Sequence, residues 1–556
     1  MTGLDMVRHQ NTSGVARIIA VSRVFPALGT AALVAAALIV ASPRSQAQAP
    51  PDYDLIIRNG TVVDGTGQPG RVAAVGLRGG RIAGVGALTG ATARDTIDAR
   101  GLVVAPGFID VHTHVDDIAG HPAIPHFVRM GVTTVITGNC GGSAADVATA
   151  FRSIDAAKPA LNYATLIGHN TVRREVMGTA NRQATPEELR QMEGLVARAM
   201  DEGAVGLSSG LQYVPGTYAV ASEIVALARV AGQRGGVYAT HMRNEGTTLE
   251  TAVAEAIDIA EQARLPLQIS HLKVDAPSRW GASARALEMI DAARGRGLTV
   301  LADQYLYDAA SSNLGIRFPS WVLEGGQDQI VTRLNDEATW QKIRAEMREL
   351  IRERGLEDYA FARIAEYRTD RSLNGLTIPQ AAQKMLGAAD LATQQELMRR
   401  MLRAGGASMV YHFMSDQDLT AILQHPMVAI ASDSGLNILG EGVPHPRGYG
   451  NAVRVLGRYV RDERVISLEE AIRKMTSLPA GQFGFADRGR LAEGMAADIV
   501  IFDPKTVVDR ATYSEPHQYP AGIVHVLVNG VAVVRGGTQT EARPGQVLRH
   551  QRRAAR

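Results

Sequence analysis

Eight short apolar runs, most of them ending in polar residues, recur through the middle of this 556-residue chain. They are VVAPGFIDVHTH, GVTTVITGNC, NYATLIGHN, AVGLSSGLQY, GVYATHMRNEG, LPLQISHLKV, LTVLADQYLYD and MVAIASDSG. Amphipathic helical stretches separate them, and strand-helix alternation calls for a parallel sheet with helices on its outer face. Repeated eight times, it predicts an α/β chain with a (β/α)8 TIM-like barrel over 106–485, whose active site is built at the C-terminal ends of the strands. Helix starts are legible. TPEEL at 185–189 offers Thr185 as cap, Pro186 in the first turn and Glu188 three residues on, and SLEEAIRKM from Ser467 reads as a second capping box. Between strands seven and eight, about 315–425 is too long for one crossover. Its charged helical segments, such as TWQKIRAEMRELIRERG, predict an insertion that covers the barrel mouth.

The two ends of the chain carry a different pattern. YDLIIRNGTVVDG shows β-rich runs split by Asn59-Gly60, VAAVGLRGGRIAGVGAL turns at Gly79-Gly80, and IVHVLVNGVAVVRGG turns at Asn529-Gly530. These are hairpin signals. They predict one small β-sandwich domain assembled from 52–105 and 486–540, followed by a tail over 541–556.

Residues 1–49 read as a signal peptide. Arg17 and Arg23 precede the apolar run ALGTAALVAAALIVA, and small residues at Ala47 and Ala49 offer cleavage sites. The expected location is therefore periplasmic or secreted, with no stable membrane insertion after cleavage; an uncleaved anchor is the alternative, for which the run is short. The 58 basic and 56 acidic residues nearly cancel and form no long run of one sign. That excludes the charge footprint of a nucleic-acid partner.

Cys140, in VITGNCGGSAA, is the only cysteine. Three readings are open to it: a small core residue, a nucleophile, or a metal ligand. It ends a candidate strand, as do His112 and His114 (in i, i+2 spacing), His241, His271 and Asp433. Imidazole and thiolate are the ligands that Zn²⁺ prefers, and a metal would deprotonate the thiol. A nucleophilic thiolate would instead need a dedicated histidine base. The ligand reading is favoured, and the glycines beside Cys140 are expected to let the chain turn sharply and to leave room for substrate. His121, His126 and His412 read as ordinary or rim residues, His169 as a pocket-lining candidate, and His445 as a residue that positions its loop.

These motifs together resemble the amidohydrolase superfamily and, within it, the D-aminoacylase (N-acyl-D-amino-acid deacylase) family, over residues 53–535. PGFIDVHTH is similar to the first-strand signature, and TGNCGGS to the segment where this family uses a cysteine in place of a carbamylated lysine. IGHNTVR, GLSSGLQYVPG, THMRNEG, ISHLK, SDSG and HPRGYG are similar to later blocks. The resemblance implies that Cys140, His241 and His271 hold a tightly bound zinc ion, and that His112, His114 and Asp433 form a second, weaker site. It implies Asp433 as general base and Lys273, Arg447, Tyr213, Tyr305 and Ser311 as substrate contacts. One departure stands out: the family's Tyr-Pro-Tyr type segment reads DQYLYD here, with Leu306 in place of proline.

The chemistry that follows is hydrolysis of a linear amide. Zn²⁺ lowers the pKa of bound water to roughly 7, Asp433 moves a proton from water to the leaving nitrogen, and Arg447 with Lys273 holds a carboxylate. The expected substrate is an N-acyl-D-amino acid. The alternatives are another amide (a dipeptide, an N-acyl-L-amino acid or a cyclic amide) and a non-catalytic periplasmic protein that binds a metal or a small ligand.

Overall fold

The computed structural model describes residues 51–550; the expected leader and the end of the tail lie outside them. All eight expected barrel strands form. The first is Phe108–Asp110 continued by Thr113–His114, the second Val132–Thr137, and the third Asn162–Thr165 continued by Ile167–Gly168. The fourth to seventh are Gly206–Gly210, Val237–His241, Leu267–Ile269 and Val300–Gln304, and the eighth is Val428–Ile430 continued by Ser434–Gly435. Every neighbouring pair that forms a ladder is parallel. The ring closes where Ser434 and Gly435 of the eighth strand pair with Thr113 and His114 of the first.

The strands are apolar because both faces are covered. Inside the ring sit small or branched residues such as Ile109, Ile136, Ala164, Val205 and Ala429. Side chains alternate along a strand, so the interior column Val237, Ala239 leads to His241, and Ala429, Ala431 leads to Asp433. Leu548 and Phe485 pack against the same interior cluster. The tail is part of the barrel's packing: Leu548 N–H donates to Tyr163 O (2.7 Å) and His550 N–H to Gly203 O (2.9 Å).

At one turn the β domain departs from expectation. Its strands from both ends make one nine-stranded sheet, joined where Val103–Pro106 pairs antiparallel with Ile499–Phe502. Gly79-Gly80 and Asn529-Gly530 are turns, as expected, but Asn59-Gly60 lies within the single strand Tyr53–Val62. It is a bulge, with Asn59 at φ 64° and the register slipping between Ile57 and Gly60. A Cβ on Gly60 would come within 2.5 Å of Val104. The bulge lets this strand pair with Ala93–Asp98 along its first half and with Val103–Pro106 near its end.

Thr185 and Glu188 form the full capping box on helix Pro186–Glu202. At Ser467 only half of one forms: Ser467 Oγ accepts from Glu470 N–H, while the Glu470 carboxylate turns to Arg473 (2.6 and 2.7 Å). The insertion begins earlier than expected, at strand Ala309–Asn313, which pairs with Ser408–His412 in a three-stranded antiparallel sheet. It has its own core around Trp340, Met347, Tyr359 and Met401. Helix Asp416–Gln424 belongs to the barrel instead, since it packs against the barrel helix Ser283–Gly295.

Candidate metal centre and active site

The six candidate ligands converge at the C-terminal mouth of the barrel. Cys140 Sγ lies 3.3 Å from His112 Nε2, 3.5 Å from His271 Nε2 and 3.7 Å from His241 Nδ1. Donor atoms fall within 4.8 Å of one another in three overlapping groups: His112, His114, Cys140; Cys140, His241, His271; and His112, His271, Asp433. Cys140 belongs to two of these groups, and the three together make one continuous cluster. Cys140, His271 and Asp433 have φ of 51°, 35° and 51°. Such conformations are costly for side chains with a Cβ and gather at functional sites.

Each buried imidazole presents one nitrogen to the cluster and gives the other to a support. His112 Nδ1 meets Asp303 Oδ1 (3.2 Å), His241 Nε2 meets Gln212 Oε1 (2.8 Å), and His271 Nδ1 hydrogen-bonds with Lys273 Nζ (2.8 Å) and lies 2.8 Å from Glu245 Oε1. His112 and His241 are held as metal-binding histidines are, with the outward N–H on an acceptor and the inward nitrogen free to ligate. Burial would push the Cys140 thiol up, but the imidazoles around it, His112 foremost, hold it well below its usual range. A thiolate among three inward-facing imidazole nitrogens suits a borderline-soft cation. The cluster has the donor set of a metal-binding site.

Asp433 joins this cluster to a cation. One oxygen lies 3.1 Å from His114 Nε2 and 3.4 Å from His112 Nε2, and the other is 2.8 Å from Arg447 Nη1. Burial opposes its ionisation, yet Arg447, His112 and His271 hold it well below the usual carboxylate range. It is a buried, ionised group that faces both the ligands and the cavity. Arg447 Nη1 is buried and makes no aligned hydrogen bond despite this ion pair, and its guanidinium lies 4.4 Å over the Tyr305 ring. Lys273 Nζ is 2.7 Å from Glu245 Oε2.

A cavity of about 340 Å³ opens onto these groups. Tyr213, Lys273, Tyr305, Ser311 and Arg447 all line it, together with His114, Cys140, His241, His271 and Asp433. Tyr213 OH meets Ser312 Oγ (3.2 Å), and its ring packs 4.6 Å from His241. The insertion supplies the outer wall through Ser311, Ile316, Arg317 and Tyr411. Arg317 lies over the Tyr411 ring at 4.2 Å, its Nε has no partner, and among the described residues no carboxylate comes within ion-pairing distance of it.

Two details differ from expectation. Gly141 does not leave room for a ligand: its φ is 77° and a Cβ would come within 2.2 Å of Asn170 Oδ1, so its glycine serves backbone geometry and close packing. His169 does not line the cavity; it is buried behind the fourth strand, with Nε2 2.8 Å from Glu223. Leu306 has its own reason. Its N–H donates to Asn451 Oδ1 (2.8 Å), a bond that proline cannot make. Glu245, Gln212, Asp303 and Arg317 are site residues that the sequence reading missed. The first two stand inside the THMRNEG and GLQY blocks and Asp303 at a strand end, so their polarity was the available signal.

A model of the amidohydrolase family matches residues 95–534. The N-acyl-D-glutamate deacylase of Alcaligenes xylosoxydans xylosoxydans is 38% identical over 520 residues, covering 89% of this chain and 96% of that one. The D-aminoacylase of the same organism is 36% identical, covering 91% of this chain and 99% of that one. Among solved structures, the N-acyl-D-glutamate deacylase of Bordetella bronchiseptica, complexed with zinc and a phosphonate mimic of the tetrahedral intermediate, matches with a TM-score of 0.76. It is 36% identical, and the match covers 90% of this chain and 100% of that one. With a closed parallel barrel, a Cys/His ligand cluster at its C-terminal mouth and these relatives over nearly its full length, the chain belongs to the amidohydrolase family.

Proposed function

We propose that this chain is a zinc-dependent N-acyl-D-amino-acid deacylase that prefers an acidic amino-acid side chain. The observation that carries the reading is Asp433, an ionised carboxylate buried between the ligand cluster and Arg447. A protein that only bound a small ligand would need no such acid-base group there. Cys140, His241 and His271 hold the tighter zinc, and His112, His114 and Asp433 a weaker second ion. When bound, zinc supplies Lewis acidity to the scissile carbonyl and makes hydroxide available near neutral pH.

The remaining work falls to the chain. Asp433 takes the proton of the attacking water and returns it to the departing nitrogen, which leaves poorly as an anion. Arg447, whose Nη1 makes no aligned hydrogen bond within the chain, turns to the substrate α-carboxylate, with Lys273 adding charge and Ser311 and Tyr305 closing the same wall. Arg317, unneutralised in the outer wall, receives a carboxylate on the amino-acid side chain. A substrate fixed at the amide, the α-carboxylate and the side chain is held at three points, which distinguishes enantiomers. The D preference is supported by the names of the two relatives above. The leader expected over 1–49 supports a periplasmic or secreted location.

The test is release of free amino acid by the zinc-loaded chain from N-acetyl-D-glutamate, N-acetyl-D-aspartate and N-acetyl-D-leucine, with Arg317→Leu assayed beside it. The wild type should favour the acidic substrates. Arg317→Leu should lower kcat/KM on N-acetyl-D-glutamate about 100-fold, the order of cost for an unpaired buried charge, and leave N-acetyl-D-leucine unharmed. No release from any of them ends the deacylase reading; release without selectivity ends only the side-chain assignment.

A further inference from the structure

Behind the Arg447 loop, segments from three parts of the chain meet at one imidazole. His445 is buried, its Nε2 donates to Ala309 O (2.9 Å), and its Nδ1 accepts from Arg447 N–H (3.0 Å). Ala309 begins the strand that carries Ser311 and Ser312 to the cavity. His445 therefore ties the backbone of Arg447 to the root of the strand that carries Ser311 and Ser312. The rings of Tyr305, Tyr307 and Tyr513 surround it at 5.9, 5.3 and 5.3 Å.

Tyr513 comes from the small β domain, on the segment between strands Ile499–Phe502 and Ile523–Val528. Its OH donates to Asp308 Oδ1 (2.6 Å), next to Ala309. The same segment grips the barrel loops twice more. Asp509 accepts from Tyr307 OH (3.3 Å) and pairs with Arg454 (2.9 Å), and His517 meets Tyr449 OH (3.0 Å). One donated and one accepted bond require a neutral ring, and burial followed by the charge of Arg447 holds His445 well below its usual range.

We propose that His445 and Tyr513 are positioning residues for substrate recognition: His445 brackets Arg447 against the Ala309–Asn313 strand, and the strap from the β domain holds the bracket through Tyr513. This rests on the reading of Arg447 as the holder of the substrate α-carboxylate. It gives the β domain a part in selecting the substrate, although none of its strands lines the cavity.

The test uses the zinc-loaded full chain and the variants His445→Asn, His445→Gln, Tyr513→Phe and Arg447→Met. Asparagine can keep an acceptor for the Arg447 N–H but cannot reach Ala309, whereas glutamine can reach Ala309. For each variant, kcat and KM are measured on N-acetyl-D-glutamate, and Ki for its α-amide, with zinc content and thermal melting as controls. His445→Asn should raise KM about tenfold, the order expected for one misplaced charge-assisted hydrogen bond, with kcat nearly unchanged. His445→Gln should recover part of that loss, and Tyr513→Phe should raise KM in the same sense by a smaller factor. Ki for the α-amide should stay put in all three. An unchanged KM in His445→Asn and Tyr513→Phe overturns the proposal, as does a parallel rise in the α-amide Ki, which would mark general damage. If Arg447→Met itself leaves KM unchanged, the carboxylate-holder reading falls and the bracket with it.

Discussion

Asp433→Asn is expected to remove turnover while the metal stays. On this account Asp433 carries the only proton shuttle at the scissile amide, and general acid-base groups contribute about 10²- to 10⁴-fold to rate. The substitution keeps the shape of the side chain and removes its charge, so kcat should fall within that range or beyond. Cys140, His241 and His271 are untouched, and zinc measured on the same sample should remain bound. The change has a structural side as well: Arg447 and His112 lose the carboxylate that now lies 2.8 and 3.4 Å away. A modest loss of thermal stability should accompany the kinetic effect, since an unpaired buried charge costs about 1–3 kcal/mol. A variant that keeps wild-type kcat would remove Asp433 from the mechanism and return the protein to the class of binders.

The second large effect is expected at Cys140. Its sulfur is within 3.7 Å of three imidazole nitrogens, and without it those of His241 and His271 face each other while only His112 Nε2 keeps an anion, Asp433, at 3.4 Å. Cys140→Ala should lower zinc affinity by at least about 100-fold, more than the loss of an outer hydrogen-bond partner costs a metal site. Activity should fall in parallel. The fold should persist, because the neighbouring Gly141 is held by Ser208 Oγ (3.1 Å), and Gly210 by Asn170 and the parallel strands. A cysteine that served only as packing would give the opposite pattern, with zinc and turnover kept and only a small drop in melting temperature. Metal content after gel filtration, read beside kcat, separates the two.

The residues that carry these effects were legible in the sequence for a physical reason. A barrel strand buried on both faces must be apolar, so a histidine, cysteine or aspartate at its C-terminal end stands out against Val, Ile and Ala. His241 after Val237 and Ala239, and Asp433 after Ala429 and Ala431, are of this kind. The capping box at Thr185 was equally plain because its partners lie three residues apart. What was hidden depends on distant segments meeting. Nothing local says that Asp303 would support His112 from 191 residues away, or that Arg317 would lie over Tyr411 without a carboxylate. Asn59-Gly60 carried a true hairpin signal, and the sheet overrode it by pairing the strand on either side of a bulge. At Ser467 the local box lost its second half to Arg473, a stronger charged partner for Glu470.

The insertion was recognisable by its length alone, and its edge was not. Ala309–Asn313 directly follows the seventh-strand segment, so only its antiparallel pairing with Ser408–His412 assigns it to the inserted lobe. That pairing matters for function, because it sets Ser311 and Tyr411 on adjacent strands of the same wall and sets the floor on which His445 bears.

The most direct test of the central claim is a zinc titration of the chelator-stripped chain, with initial rates on N-acetyl-D-glutamate and N-acetyl-L-glutamate measured at every step. The account predicts a rate on the D enantiomer that is near zero without zinc and rises in proportion to bound metal, while the L enantiomer stays far slower throughout. Equal rates on the two enantiomers, or a D rate that does not depend on zinc, would contradict it.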